Sequence, residues 1–238
     1  LWSAPRPRLR ASGLNYARNS GGNIFCMIPE STRRINRSEP ESSCQIIDNM
    51  VLFPPRSMTD AQKLKQVNES LKKKFKDKKL VLGRGAVGAT VVLVGEAPGP
   101  AEEKEGKPIA GNSARLLNQL LRTAGLSTGK VYVTNIMKYA RNGAVAPTPK
   151  EIKSHATFLR EEIKTIGPRL VVTLGNLALN GVGMRQPLDN VHGRVFSLGN
   201  HELLATFHPE QALNDPQIRI LLEADFIKLK DLLNPKGQ

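Results

Sequence analysis

The sequence predicts a three-layer α/β/α domain, a parallel sheet held between two layers of helices, and three observations predict it. Four short apolar runs, 91–94, 131–133, 170–174 and 203–207, are rich in β-branched residues and continuous rather than alternating, which suits strands buried on both faces. Stretches of helical periodicity separate these runs. Each run is followed at once by polar or glycine residues, and ligands of such sheets bind outside the carboxyl ends of the strands.

Composition narrows the class. The chain has 238 residues, enough for one domain or one domain with appendages. Hydrophobic residues at 39% and charged residues at 24% fit neither pervasive disorder nor a membrane protein. No apolar run approaches the ~20 residues of a spanning helix. Two cysteines exclude a disulfide framework and any four-cysteine metal site. A net charge of +14 calls for a polyanionic partner, most often nucleic acid, without distinguishing duplex from single strand or membrane surface.

Taken in order, residues 1–57 stand apart. They hold eight Arg and no Lys, both cysteines (Cys26, Cys44) and the only tryptophan, Trp2. They show no sustained period and are broken by Pro5, Pro7, Gly21-Gly22 and Pro54-Pro55. The first 25 residues have four Arg and no acid, loosely like an organelle transit peptide. The favoured reading is a disordered arm, or sequence upstream of a true start at Met58. From Met58 the chain is expected to be a single domain, 58–238.

That domain opens with Leu64, Val67, Leu71 and Phe75 at helical spacing, among eight lysines between Lys63 and Lys79. Two readings of this basic helix stand: a solvated face, or a phosphate-contacting surface including Lys72, Lys73 and Lys74. Gly83, Gly85 and Gly88 spell G-x-G-x-x-G, but ahead of a strand rather than between strand and helix. The dinucleotide reading lacks its context, and a flexible lead-in to the first strand is preferred. Leu116, Leu117, Leu120, Leu121 and Ala124 form one helix face. Thr148-Pro149-Lys150-Glu151 reads as an N-cap, a first-turn proline and a capping-box glutamate, ahead of Ile152, Leu159, Ile163 and Ile166. The last helix starts near Asp215-Pro216 and carries Ile220, Ala224, Ile227 and Leu232.

The strand ends supply the candidate chemistry. Glu96 follows the first run, Asn135 the second, Gly175-Asn176 the third and His208-Pro209-Glu210 the fourth. A carboxylate, an amide and an imidazole therefore converge on one sheet edge. Each has a plain alternative: Glu96 as a loop carboxylate, Asn135 satisfying loop backbone, His208 as a turn residue. The four histidines lack the close spacing of zinc ligands, and no Walker A sequence is present.

At these residues the chain resembles the family 4 uracil-DNA glycosylases. The segment Gly95-Glu96-Ala97-Pro98-Gly99-Pro100-Ala101-Glu102-Glu103-Lys104-Glu105-Gly106-Lys107-Pro108, continuing through Gly111 and Leu116-Leu117, is similar to their first motif. Thr134-Asn135-Ile136-Met137-Lys138 resembles the second, and Pro147-Thr148-Pro149-Lys150-Glu151-Ile152 the segment after it. His192-Gly193-Arg194 matches their short basic turn, and His208-Pro209 their final motif. The resemblance runs in colinear order from about Leu80 to about Leu233.

The resemblance implies a four-stranded parallel sheet of the uracil-DNA glycosylase type and an enzyme that hydrolyses uracil from DNA. It implies Glu96, Glu102 and His208 as catalytic residues, Asn135 as the uracil-reading amide, and Ala97 and Ile109 beside the base. Arg194 and Ser113 would contact DNA. Ser113 also reads as a plain N-cap, which is the safer assignment. The loop from His208 to Asp215 would face DNA, and Leu213 reads equally as a wedge into the duplex or as packing under the last helix.

Two departures matter. The family commonly carries an iron–sulfur cluster on four cysteines, but its first two positions fall where this chain has the lysine-rich helix, and the other two on Tyr139 and His155. Cys26 and Cys44 lie too far upstream. The expectation is therefore no cluster, no other metal, and Phe75 helping to fill its place. The family also stacks an aromatic on uracil after Lys107-Pro108, where this chain has Ile109; Tyr139 or Phe207 is the substitute to look for.

The expected partner is uracil-containing DNA, with no membrane, no protein partner and a monomer. Cytoplasmic, nucleoid or nuclear placement is expected, or an organelle if residues 1–57 are a transit peptide. The rival readings are a glycosylase for hypoxanthine or xanthine, a catalytically idle damage binder and, more weakly, an enzyme of free nucleotides.

Overall fold

The computed structural model describes residues 58–140 and 146–233, and before them the backbone of four short strands. Those strands, β1 (Asn15–Arg18), β2 (Ile24–Met27), β3 (Gln45–Ile47) and β4 (Met50–Leu52), pair antiparallel in the order β1-β2-β4-β3. The rest of residues 1–57, on which the expectation of an arm or extension falls, lies outside the described residues.

A separate compact unit covers Thr59–Gln238. Its centre is a sheet of β5 (Arg84–Gly85), β6 (Val91–Gly95), β7 (Val131–Asn135), β8 (Leu170–Leu174), β9 (Val195–Leu198) and β10 (His201–Thr206), in the order β5-β7-β6-β8-β10-β9. The four apolar runs are the four central strands, all parallel. The two edge strands are antiparallel additions that apolar periodicity did not reveal. β5 is two residues long, and β9 is half exposed, so neither carries a continuous apolar run. Arg84–Gly85 is thus a paired edge, not a free lead-in.

Helices cover both faces. On one lie α1 (Asp60–Lys74), α4 (Pro149–Ile166), α5 (Asn176–Gly181) and α6 (Leu188–Val191), burying Leu159, Ile163, Leu179 and Val191 with Val92, Tyr132 and Val171 of the sheet, and Leu64 of α1 packs against them. On the other lie α3 (Gly111–Thr123) and α8 (Pro216–Leu233), where Leu116, Leu120, Phe226 and Leu229 close over Val91, Leu93, Val172 and Leu204. Fully burying each such side chain contributes about 1.5–3 kcal/mol, so this double-sided core is what holds the strand ends in place.

Local signals set the helix starts. Thr59 caps α1 in a reciprocal capping box with Gln62. Thr148 and Glu151 do the same for α4, with Pro149 in its first turn. Asp215 accepts from the amides of Gln217 and Ile218 and so starts α8.

The stripe expected on α8 is corrected. Ile220 and Ile227 are 60% and 53% exposed, while Leu222, Asp225, Phe226 and Leu229 face the core. The buried stripe was masked because a carboxylate, Asp225, sits in its middle. The segment after His208 is likewise a helix, α7 (Pro209–Asn214), not a loop. Among the described residues no helix is long and apolar enough to cross a membrane.

Candidate active site

Parallel pairing in register brings the candidate residues together. Gly95 pairs with Asn135 at the carboxyl ends of β6 and β7, and β10 ends two residues before His208. Beyond the strands, Ile136 and Met137 donate their amides to the carbonyls of Gly95 and Glu96, both at 2.9 Å, which extends the pairing past the sheet edge. Gly95 is the point of closest approach. A Cβ there would run into Asn135 Oδ1 and stand 3.7 Å from His208 Nε2, so amide and imidazole face the same small space.

Asn135 is 1% exposed. Its Nδ2 donates to the Pro108 carbonyl at 2.7 Å, which fixes which way the amide points. Its Oδ1 is buried and has no hydrogen-bond partner among the described residues. A buried acceptor left unpaired costs about 1–3 kcal/mol, so its retention beside His208 points to a ligand donor.

His208 caps α7, its Nδ1 accepting from the Glu210 amide at 3.2 Å. Burial pushes its pKa down to about 4, with the Glu102 charge pulling weakly the other way. The ring is therefore neutral near pH 7, and because Nδ1 accepts, Nε2 carries the proton. The site thus presents an acceptor from Asn135 beside a donor from His208.

Glu96 is half-buried, with Oε1 accepting from the Leu177 amide at 2.9 Å at the start of α5. Burial raises its pKa; the Leu177 amide opposes this and the Glu210 charge adds to it. The approach is possible because Gly175, at φ +98°, has no side chain: a Cβ would collide with Glu96 Oε1. Glu102 has a different posture. Its Oε2 accepts from the Gly99 amide at 3.1 Å and its Oε1 from Ala110 at 2.9 Å, so it ties the two ends of the first motif together.

The remaining candidates divide. Ala97 is half-buried directly after Glu96 and packs on the core. Ile109, 7% exposed, belongs to the core cluster under α3, next to the Pro108 carbonyl that holds Asn135. Neither expected aromatic substitute is free to stack: Tyr139 lies 5.7 Å from Phe75 and 5.2 Å from His155, and Phe207 is buried with His192 at 4.9 Å. Leu213 is 42% exposed on α7, so it does not pack under the last helix. Ser113 is not a cap: Ala110 is the N-cap of α3, and Ser113 sits half-buried in the first turn. Arg194 is exposed in the turn before β9.

Lys72, Lys73 and Lys74 are exposed in the last turn of α1. Lys72 pairs with Glu69 at 2.9 Å, and Lys74 lies over the Phe158 ring at 5.1 Å. A cleft beside Tyr139, lined by Lys78, Lys79, Glu103 and Glu151, contains none of the three convergent groups.

Lys138 has a definite direction. Its Nζ is fully buried, 2.5 Å from Glu162 Oε2 and from Thr134 Oγ1, on the α4 side of the sheet. Sequence reading missed the Pro108 carbonyl, the Leu177 amide and Glu210. The first two are backbone groups without a residue signature; Glu210 was visible only as the neighbour of His208-Pro209.

The parallel α/β/α domain thus sets one oriented amide acceptor and one neutral imidazole donor across a glycine at the carboxyl ends of its strands. The chain belongs to the uracil DNA glycosylase superfamily, whose model matches residues 82–229. It is 32% identical over 163 residues to a Type-4 uracil-DNA glycosylase of Thermotoga maritima, covering 66% of this chain and 85% of that one. Another from Archaeoglobus fulgidus is 32% identical over 165 residues, covering 66% and 83%. A third, from Saccharolobus solfataricus, is 33% identical over 169 residues, covering 67% and 78%.

Proposed function

We propose that this protein is a monofunctional uracil-DNA glycosylase, hydrolysing the N-glycosidic bond of a uracil flipped out of DNA. The observation that carries this reading is the buried, unpaired Oδ1 of Asn135 with its amide oriented by the Pro108 carbonyl. Uracil offers N3–H as a donor and O4 as an acceptor. Oδ1 would take the first, and the second Nδ2 hydrogen the other. Cytosine presents the opposite pattern and would leave both sides unpaired in a buried site. A base within a duplex is out of reach, so flipping it, at a cost of a few kcal/mol, precedes all of this.

Breaking the bond leaves negative charge on the uracil and positive charge on the sugar. His208 Nε2–H donates to O2 as the uracil charge develops, and it does so as a neutral group. Glu96 has one oxygen held by Leu177 and the other free to orient water, while its charge stabilises the sugar. Its raised pKa makes it a stronger base than an ordinary glutamate. Glu102 serves by shaping the motif, since both of its oxygens are engaged by backbone amides. Lys138 is turned into its ion pair with Glu162, which supports hydrolysis over a Schiff-base route.

An iron–sulfur cluster does not fit this chain. His155 and Tyr139 stand where the resemblance puts two of the cysteines. His155 stacks flat on Phe75 at 4.3 Å, with Tyr139 tilted against both. Imidazole and rings supply packing, not thiolate ligands. Stoichiometric iron with visible absorbance in anaerobically purified protein would overturn this. On the DNA side, exposed Leu213 is suited to fill the gap left by the flipped base. Arg194, Ser113 and Lys72–Lys74 are assigned to backbone contacts.

The test is excision from labelled oligonucleotides carrying one uracil, hypoxanthine or xanthine, single- and double-stranded, followed by alkaline cleavage. Uracil is the expected substrate. Binding without product from any of them would instead make the protein an idle damage binder.

A further inference from the structure

We propose that Asp225, a residue of α8 outside every motif described above, is the positioning residue of a phosphate clamp formed by the turn His192–Arg194. The inference rests on the DNA reading of the site and adds to it a second point of contact with the backbone.

Register puts this turn at the right edge. β9 pairs antiparallel to β10 with Val195 opposite Leu204, and the Gly193 amide donates to the Ala205 carbonyl at 2.8 Å. Residues 192–194 therefore lie beside residues 205–207, at the same carboxyl edge as Gly95, Asn135 and His208. The His192 ring packs on Phe207, the residue before His208.

Asp225 reaches this turn from below. It is 1% exposed, and its Oδ2 accepts from Thr206 Oγ1 at 2.7 Å and lies 3.3 Å from His192 Nδ1. A carboxylate only accepts, so Nδ1 donates in that contact and the partly exposed ring ties the turn to Asp225, leaving the exposed Arg194 as the group that meets a phosphate. Asp225 Oδ1 has no hydrogen-bond partner among the described residues and stands 3.8 Å from Lys228 Nζ. Gly193, at φ +66°, lets the turn backbone come down onto it: a Cβ there would strike Oδ1. Lys228 also reaches the Gly193 carbonyl at 3.5 Å.

A buried carboxylate is costly unless paired, and here its partners come from the turn, the end of β10 and α8. The carboxylate thus fixes the attitude of a turn whose exposed side chain, Arg194, is basic. Contacts of this kind hold DNA by its phosphates and carry no sequence information, so the clamp would set register for the flipped base without reading it.

The experiment uses the full chain, the variants Asp225→Asn, His192→Ala and Arg194→Ala, and the double variant Asp225→Asn/Arg194→Ala. Affinity for undamaged duplex is measured by anisotropy across a salt series, with thermal unfolding alongside and single-turnover excision at saturating DNA. Asp225→Asn is expected to weaken binding about tenfold and to lower the salt slope by about one, with the saturated rate within about twofold of the parent. The double variant should bind no worse than its weaker parent by more than about twofold, because both remove one clamp. A folded Asp225→Asn with parental affinity and slope, or full additivity in the double variant, overturns the proposal. If Asp225→Asn does not fold, His192→Ala decides: weakened binding with a reduced slope supports the clamp, and unchanged binding overturns it. Binding to undamaged DNA does not depend on which base is excised, so a clamp that holds in a protein releasing no uracil would fail the function alone.

Discussion

The two faces of β7 hold polar groups of opposite character. On the α4 face, Tyr132 and Thr134 meet Lys138 and Glu162, and the cluster closes on itself. Tyr132 Oη donates to Glu162 Oε1 at 2.8 Å, Thr134 donates to both Glu162 oxygens, and Lys138 completes the ion pair. One residue further, on the other face, Asn135 keeps an unpaired oxygen beside His208 and Gly95. Both sets are buried, so burial alone separates nothing. Pairing does: a satisfied network fastens the strand to its helix, and the acceptor of Asn135 is left open at the strand ends.

The histidines add a condition: an unpaired atom marks a site only where it faces the shared space at the strand ends. His155 and His208 both have pKa values pushed down to about 4, chiefly by burial. His155 is fully buried, unpaired at both nitrogens and stacked on Phe75, so it serves as a packing ring. His208 has one nitrogen fixed by the Glu210 amide and the other turned toward Gly95.

If that division holds, variants on the open side cost rate and variants on the closed side cost stability. The largest effect is expected from Glu96→Gln. Loss of the base should slow single-turnover excision by about 10²–10⁴ while the unfolding midpoint barely moves. A near-parental rate would take Glu96 out of the chemistry.

His208→Ala should cost about 10²–10³ in rate with little loss of DNA affinity. Asn135→Asp should relax discrimination against cytosine. Parental rate and selectivity in both variants would mean the open side is misassigned.

Across the strand, Glu162→Gln leaves Lys138 buried without its counter-charge and should destabilise the fold by about 3–5 kcal/mol in denaturant titrations. The double variant Lys138→Met/Glu162→Leu should recover most of that loss and keep excision near parental. A double variant that folds well yet no longer excises uracil would show that the closed side also serves the chemistry.

The smallest effect is in pH. Both lowered histidine pKa values lie below the unfolded value of 6.5, so the unfolded chain binds more protons between pH 6.5 and about 4. Their contribution is complete above 6.5 and is lost as pH falls through the folded pKa. Acid unfolding should be blunted by His155→Phe; an unchanged midpoint-versus-pH curve would show that the ring does not control it. Excision should also fall in acid as Glu96 takes up a proton above its ordinary value, and stay level from neutrality upward because His208 acts uncharged.

Much of this was legible in the residues. Continuous β-branched runs such as 91–94 and 170–174 suit strands buried on both faces, and in a parallel sheet the polar residues after them share one edge. What escaped were features without a periodic or compositional trace. β9 is half exposed, so it looks like loop. The buried stripe of α8 is interrupted by Asp225, so the more regular row of Ile220 and Ile227 stood out although it faces solvent. The orientation of Asn135 depends on the Pro108 carbonyl, which any residue at that position would supply.

The sequence by itself determined which side chains can take part, because amide, carboxylate and imidazole are fixed by residue identity and strand ends by apolar runs. Tertiary structure alone decided their state: which side-chain atom of Asn135 is left open, which nitrogen of His208 keeps its proton, and which way Lys138 turns. Those outcomes depend on burial and on partners distant in the chain, and neither exists until the sheet has closed between its helices.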